Sequence, residues 1–430
     1  MTPDDRRPSL LMIVYYFPPL GMGGVQRPLK FAKYLPEFGW DVTVLAPHPG
    51  SYYHTDETLL SELPPEVPVE RIAAPDPARW FPRGEAAIPQ RAGLLKPLRH
   101  LREWLRWPDD KIGFAMRAAA HARRRRAERP FDVVWTSSPP PSVHLAGLRL
   151  KDNAGWIADF RDPWFPAIDD WGPTRMHAHW GRRMRRRIVR GADRLVAVND
   201  GIAGILDAER PLHPTTVIHN GYDEADFPQA PPAPDPASPL ALVCPGSFSP
   251  NTDPQPIFAL VRTWLRSDPQ RRVRLFHVGA SIDLAPNAMA TAMGLGDLYL
   301  DKGYMCHARS VELIGAADVL LIAVNPGDAY AANVPGRLFE ALRTLRPLLL
   351  LAWPDGAAAR LVRDIPGCRV VAPDDVAAGC TALDELARHP RGTPARPIDA
   401  IHTFDRREQS RRLAALCDAV RTERTEGEKR

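Results

Sequence analysis

Near the start of this chain, the residues best suited to chemistry lie in one turn, Pro18-Pro19-Leu20-Gly21-Met22-Gly23-Gly24-Val25-Gln26-Arg27. Glycines lack a Cβ and let a backbone approach a ligand closely. Where such a turn opens a helix, the first N–H groups of that helix face it and favour an anion such as a diphosphate. The spacing meets neither the dinucleotide fingerprint GxGxxG nor the P-loop with its Lys-Ser or Lys-Thr. Two readings stand at this level, an anion cradle or a tight strand-to-helix turn without a ligand. A second polar group, Asp159, Arg161 and Asp162, closes the apolar run Trp156–Phe160. It either lines a cleft at a strand end or makes a structural ion pair of Arg161 and Asp162 beneath a loop. A third, Arg337 and Glu340, lies one helical turn apart and therefore on one face.

The elements that hold these groups alternate. Leu10–Tyr16 reads as a buried strand, Val25, Leu29, Ala32 and Leu35 recur at helical spacing, and Asp41–Leu45 reads as a second strand. Further strands are expected at Phe131–Thr136, Trp156–Phe160, Leu195–Val198 and Thr216–Ile218, with helices at Ser142–Lys151 and through Arg182–Arg190. Between them lies an insertion with Trp80, Trp104 and Trp107, whose segment Leu94–Arg106 is amphipathic, either a helix packed on the domain or a membrane-facing surface. The proline-rich stretch Phe227–Pro239 reads as a stiff linker. The alternation then restarts: strands at Leu240–Cys244, Val273–Val278, Asp318–Val324 and Leu348–Leu351, and helices at Pro256–Ser267, Val311–Ala317, from Pro335, Ala357–Arg363, Val376–Ala387 and Arg406–Arg421. Such alternation builds parallel sheets, and two halves of this kind place a cleft at their strand carboxyl ends.

A chain of 430 residues with 44% hydrophobic and 25% charged residues has the composition of a globular protein of two or three domains. Its five cysteines form no CxxC pair and no metal spacing, as expected of reduced thiols in a cytosolic protein. No signal-peptide core follows Met1–Pro8, and apolar runs such as Leu348–Trp353 are too short to span a bilayer. The net charge is only +5, but Arg123–Arg126 and the cluster from Arg182 to Arg187 both fall in the first half. Each is a solvated helix face or, with the other, an attraction for an anionic membrane surface or substrate. No aromatic-basic interleaving or reader motif accompanies them, so no nucleic-acid partner is expected.

Taken in series, the motifs YYFPPLGMGGVQRPLKFAKYLPEFGWDVTVLAP, FDVVWTSSPPPSVHLAGLRLK, ADFRDPW, GADRLVAVNDGI, VIHNGYD, CPGSFSPNTDP, FHVG, LIGAADVLLIAV and VPGRLFEALRTLRPLLLLA resemble a GT-B glycosyltransferase of the retaining group known as glycosyltransferase family 4. The resemblance implies an α/β chain of two Rossmann-like, doubly wound parallel-sheet domains facing a central cleft. It implies an acceptor-side domain over 1–226, the linker at 227–239, a donor domain over 240–400, and a closing helix and charged tail at 401–430 that crosses back to the first domain. It further implies transfer of a sugar from a nucleoside-diphosphate sugar to a glycan or lipid-linked acceptor in cell-envelope or exopolysaccharide synthesis. The configuration is retained, and no metal and no cofactor beyond the sugar nucleotide are needed. The site would be cytoplasmic, peripheral at the inner face of the plasma membrane.

The same resemblance assigns roles. Glu340 in GRLFEAL matches the second glutamate of the family's E-x7-E motif, which hydrogen-bonds the donor ribose, whereas the first falls at Ala332. Arg337 takes the place of a phosphate-pairing cation. The family's arginine-lysine pair is not found in PGSFSPNTDP, which leaves Ser247 and backbone N–H groups, with Arg337 and Arg27, to hold phosphate. Gly23 and Gly24 join this donor group, while Gly21, Ser137, Ser138, His144 and Asp159 form the acceptor side. Ser137-Ser138 stands where other branches carry a histidine, and His144 either faces the cleft or is a core or surface histidine. Asp162, Arg161 and Arg337 are the expected catalytic group, and Asn220 and Gly221 a loop that shapes the cleft. Two alternatives are a non-catalytic GT-B sugar-nucleotide-binding protein, favoured by Ala332 and the missing pair, and a GT-B epimerase, whose carboxylates and histidines are not found.

Overall fold

The computed structural model describes residues 6–21, 23–49, 55–74, 108–126, 130–162, 175–227, 237–249, 252–324 and 332–429. The insertion around Trp80, Trp104 and Trp107 with its expected helix, Pro163-Trp164, and most of the linker lie outside them. The contacts divide the chain into two units, one of residues 1–219 and 409–430, the other of residues 220–408. The chain thus passes between units at His219–Asn220, ahead of the expected 226. Residues 220–227 go with the second unit because Tyr222 exchanges backbone hydrogen bonds with Phe404 and Arg406.

The first unit is built on a parallel sheet of seven strands: β1 (Ser9–Val14), β2 (Asp41–Pro47), β3 (Val69–Ile72), β4 (Val133–Ser138), β5 (Gly155–Phe160), β6 (Arg194–Ala197) and β7 (Thr216–Val217). Their order is β3-β2-β1-β4-β5-β6-β7. The central strands β4 and β5 are buried along their whole length because both faces are covered. Leu10, Met12 and Val14 meet Trp40, Phe31, Trp135 and Ile157, and the same core is closed by Leu413, Cys417 and Val420 of the last helix, Arg406–Lys429. That helix accordingly belongs, from Gln409 on, to the first unit.

The second unit has six parallel strands, β8 (Leu240–Pro245), β9 (Val273–Val278), β10 (Tyr299–Asp301), β11 (Val319–Ala323), β12 (Leu348–Leu351) and β13 (Cys368–Val371), in the order β10-β9-β8-β11-β12-β13. Side-chain direction alternates along each. Leu348 and Leu350 enter one core with Leu338 and Phe339, while Leu349 and Leu351 enter the other with Leu242 and Phe258. Each such leucine contributes about 1.5–3 kcal/mol relative to exposure.

In both units the strand order reverses once, between β1 and β4 and between β8 and β11. Crevices for ligands open beyond the strand carboxyl ends at such points. The turn at 18–27 follows β1, Ser137-Ser138 ends β4, Arg161 follows β5, and Gly246-Ser247 follows β8. Elements not expected from sequence are the short strands β3, β10 and β13 and the helices Ile112–Arg126, Asp200–Asp207 and Pro286–Ala292.

Candidate functional site

In the first unit the groups beyond β1, β4 and β5 form a buried polar network. Asp159 is fully buried and Arg27 is 1% exposed. Arg27 grips Asp159 with both arms, Nε to Oδ2 at 3.0 Å and Nη2 to Oδ1 at 2.7 Å, and donates from Nη1 to the His219 carbonyl at 2.8 Å. Its guanidinium also lies 4.9 Å from the Phe31 ring centre. Ser137 Oγ donates to Asp159 Oδ2 at 2.7 Å. Arg27, expected to face a ligand from the helix Gln26–Tyr34, therefore turns inward instead. A buried carboxylate needs a charged, geometrically matched partner, and Arg27 supplies it. Asp159 and Ser137 are drawn beneath the surface with it.

Arg161 is not bonded to Asp162. Its Nε donates to the Ser138 carbonyl at 2.8 Å, Nη1 to the Gly24 carbonyl, and Nη2 to the Pro139 carbonyl at 3.4 Å. One guanidinium thus ties the glycine turn to the loop after β4. Gly23 and Gly24 are exposed, and a side chain at Gly23 would meet nothing within 4 Å, so the turn offers bare backbone to its surroundings. Asp162, next in the chain after Arg161, is exposed.

His144 settles as a core histidine. Its Nδ1 lies 2.8 Å from Thr136 Oγ1, which also accepts the Trp156 indole N–H at 2.9 Å. Its ring packs on Phe160 at 4.4 Å, and its Nε2 has no partner. Burial, with the charge of Arg161, lowers its pKa to about 3, so it is neutral near pH 7 and unsuited to proton transfer there.

In the second unit, Glu340 and Arg337 share a face of the helix Gly336–Arg343, as their spacing predicts. Arg337 Nη1 donates to Glu340 Oε2 at 2.6 Å and to Ser310 Oγ at 3.2 Å. His307 Nε2 lies 3.0 Å from Glu340 Oε1. Burial alone would raise the Glu340 pKa, but Arg337 and His307 outweigh it and hold the carboxyl well below the usual carboxylate range. Burial would likewise lower the His307 pKa, and Glu340, followed by Asp226, turns the shift upward.

The Arg337 stem lies across the turn after β8: a Cβ on Gly246, whose φ is +103°, would stand 3.3 Å from Arg337 Cγ. That turn is pinned from below by His277, which is fully buried, stacks on Phe248 at 3.9 Å, bonds the Gly246 carbonyl through Nε2 at 2.9 Å and meets Asp301 Oδ1 through Nδ1 at 3.0 Å. Gly279 fits only because it is glycine, since a Cβ there would lie 2.1 Å from the Gly246 oxygen. Ser247 is exposed at the tip of this turn.

His307, Ser310, Asp226, His277 and Asp301 were not singled out from sequence. For His307 the signal was a helix start: the helix His307–Gly315 begins four residues before the expected Val311, and its N-cap, Cys306, makes no side-chain cap. Ala332, at the place of the missing glutamate, lies four residues before the helix Gly336–Arg343.

The arginine clusters divide. Arg123–Arg126 ends the helix Ile112–Arg126, where Arg125 pairs with Glu70 and Arg123 donates to the Arg149 carbonyl at 2.7 Å. On the helix Arg175–Gly191, Arg185 and Arg186 converge on Glu209, while Arg183 and Arg187 border a groove of about 400 Å³ with Leu145, Leu148, Trp180 and Met184. Trp180 is 44% exposed and Met176 41%. No helix among the described residues is long and apolar enough to cross a membrane.

Residues 22–226 match the family described as Glycosyltransferase Family 4. Among solved structures, the chain is similar to an α,α-trehalose 6-phosphate synthase from Burkholderia multivorans (14% identity, TM-score 0.64, covering 98% of this chain and 99% of that one). It is similar to a glycosyltransferase from Rickettsia africae (16%, TM-score 0.60, 96% and 98%) and to the lipopolysaccharide outer core galactosyltransferase WaaB (12%, TM-score 0.58, 95% and 99%). No curated protein matches the sequence.

Proposed function

We propose that this chain, whose residues 22–226 match Glycosyltransferase Family 4, is a GT-B glycosyltransferase that moves a sugar from a nucleoside-diphosphate sugar to a glycan or lipid-linked acceptor, with retention of configuration. The observation that carries the donor side is Glu340, kept ionised and oriented by Arg337 and His307. An ionised carboxylate is the natural receiver for two ribose hydroxyls. Arg337, the Gly246-Ser247 turn and the start of the helix Gly336–Arg343 supply cation and N–H donors for the diphosphate. Its charge grows as the glycosidic bond breaks, and fixed donors stabilise that charge without having to reorganise. In this reading no metal is required, and activity survives chelation. The glycine turn at 21–24, braced by Arg161, and Asp162 serve the acceptor side, while the buried Arg27–Asp159 pair holds that turn in place.

Envelope or exopolysaccharide synthesis at the inner face of the plasma membrane is the context we favour. The helix Arg175–Gly191 supports it, because exposed Trp180 and Met176 beside Arg183 and Arg187 suit an anionic lipid surface. Two experiments test the two halves. Thermal shifts with UDP, GDP, ADP, CMP and dTDP compare wild type with Glu340→Ala; a ligand at 100 times its Kd adds about 2.7 kcal/mol. One nucleotide stabilising the wild type alone supports the donor site, and none doing so refutes it. Flotation with anionic vesicles at low salt tests docking, and a wild type that stays with the soluble fraction refutes it.

A further inference from the structure

The partners of Glu340 define what is left for a ligand. A carboxylate has two oxygens and about four lone-pair positions. His307 Nε2 occupies one on Oε1 at 3.0 Å, and Arg337 Nη1 one on Oε2 at 2.6 Å. These two partners therefore leave one position on each oxygen. That pair matches a vicinal diol whose two hydroxyls both donate, and it matches a single hydroxyl only by half.

What fixes this division is the helix His307–Gly315. His307 and Ser310 lie one turn apart on it and so share a face. His307 holds Glu340 directly, while the buried Ser310 Oγ accepts from Arg337 at 3.2 Å and steadies the second partner. His307 is itself held from behind, with Nδ1 3.8 Å from Asp226 Oδ2. Carboxylates therefore face both ring nitrogens, Glu340 at Nε2 and Asp226 at Nδ1, and hold the ring between them.

We propose that His307, backed by Asp226, is a positioning residue of the nucleotide site, which turns Glu340 so that its two open lone pairs face the ribose diol of a nucleoside diphosphate. The proposal rests on the ribose-binding reading of Glu340 given above. It assigns His307 no contact with the nucleotide. Its effect is selectivity for ribose over 2′-deoxyribose, not phosphate affinity.

The test is calorimetric titration of the full chain with UDP, GDP and ADP, each paired with its 2′-deoxy counterpart, on wild type, His307→Gln, His307→Asn and Glu340→Ala. A glutamine amide reaches where Nε2 sits and keeps the bond to Glu340; an asparagine amide reaches only where Nδ1 sits and loses it. In the wild type, the nucleotide that binds should outbind its deoxy form by about tenfold, as a hydrogen bond to a charged group requires. His307→Gln should keep that ratio within about threefold of wild type. His307→Asn should bring it close to one, with the deoxy affinity unchanged.

Retention of the ratio in His307→Asn, with its loss in Glu340→Ala, overturns the role of His307 alone. Equal loss of ribo and deoxy binding in both His307 variants, together with a lowered melting temperature, also overturns it, because His307 is then merely structural. Retention of the ratio in Glu340→Ala, or no binding of any of the three nucleotides to wild type, overturns the ribose reading and this inference with it.

Discussion

Replacing Gly279 by alanine probes the turn that carries Ser247 from underneath. The added Cβ would lie 2.1 Å from the Gly246 oxygen, 2.4 Å from its carbonyl carbon and 3.0 Å from the Ser247 nitrogen. Carbon and carbonyl oxygen approach to about 3.3 Å at closest. The obstacle is backbone, so no side chain can swing aside, and the turn must retreat by roughly 1 Å. Overpacking of this kind costs about 1–3 kcal/mol. The retreat also pulls the Gly246 carbonyl from the buried His277 Nε2, now 2.9 Å away. An unmade buried bond adds about 1–3 kcal/mol. Together about 3 kcal/mol should lower the unfolding temperature by roughly 6–12 °C for a unit of this size. The assay is scanning calorimetry with and without the nucleotide that binds wild type. The variant should melt early and bind at least about tenfold more weakly, because donors displaced by 1 Å no longer meet the phosphate. Gly23→Ala is the control, since its Cβ meets nothing within 4 Å, and it should melt as wild type does. A Gly279→Ala protein with wild-type melting and affinity would refute the packing argument.

Three further outcomes follow from the same geometry. Asp159→Asn or Arg27→Met leaves one buried charge without its partner and should cost about 3–5 kcal/mol, read by chemical denaturation; a loss below 1 kcal/mol would mean that the pair is solvated. Gly147→Ala places a Cβ 2.0 Å from the fully buried Trp156 Nε1 and should cost about 1–3 kcal/mol, with Gly204→Ala, which meets nothing within 4 Å, as its neutral counterpart. The pair of His307 and Glu340 sets a pH dependence whose sign follows from the two shifts. The raised His307 pKa stabilises the fold below the unfolded value of 6.5, and that contribution is lost as pH rises through the folded pKa. The lowered Glu340 pKa stabilises above 4.5, and that contribution is lost only as pH falls through its folded value. Melting temperature should therefore decline above pH 6.5 in wild type and more shallowly in His307→Gln; equal slopes would remove His307 from the account.

Much of the architecture was legible because parallel strands buried on both faces read as apolar runs ending in turn residues, as at Leu348–Leu351 and Trp156–Phe160. The strands that escaped notice are edge or near-edge strands of three or four residues, Tyr299–Asp301, Val69–Ile72 and Cys368–Val371, too short for periodicity to register. Arg337 and Glu340 were placed on one helix face because helical spacing is a local property; that they bond to each other was not foreseen. The bond between Arg27 and Asp159 joins residues 132 apart and exists only once β1, β4 and β5 are side by side. No spacing rule foretells it, and so Arg27 read as a ligand-facing cation when it is an internal counter-ion. His307 stayed hidden for a third reason. Its helix starts without a capping serine, threonine, aspartate or asparagine, and the apolar pattern begins only at Val311.

The first unit is discontinuous: residues 220–408 are threaded between its sheet and the helix that completes its core. This has a consequence for synthesis on the ribosome. When the first 219 residues have emerged, the surface destined for Leu413, Cys417 and Val420 is still bare to water, and it stays bare while the whole second unit is translated. The later-made unit has every residue of its own sheet and cores in hand before the earlier one does. At about 5–20 residues per second, the wait between residues 219 and 409 lasts roughly 10–40 s. During that interval the nascent chain presents an open apolar face to chaperones, and a stop directly after residue 408 leaves the second unit whole and the first without its lid.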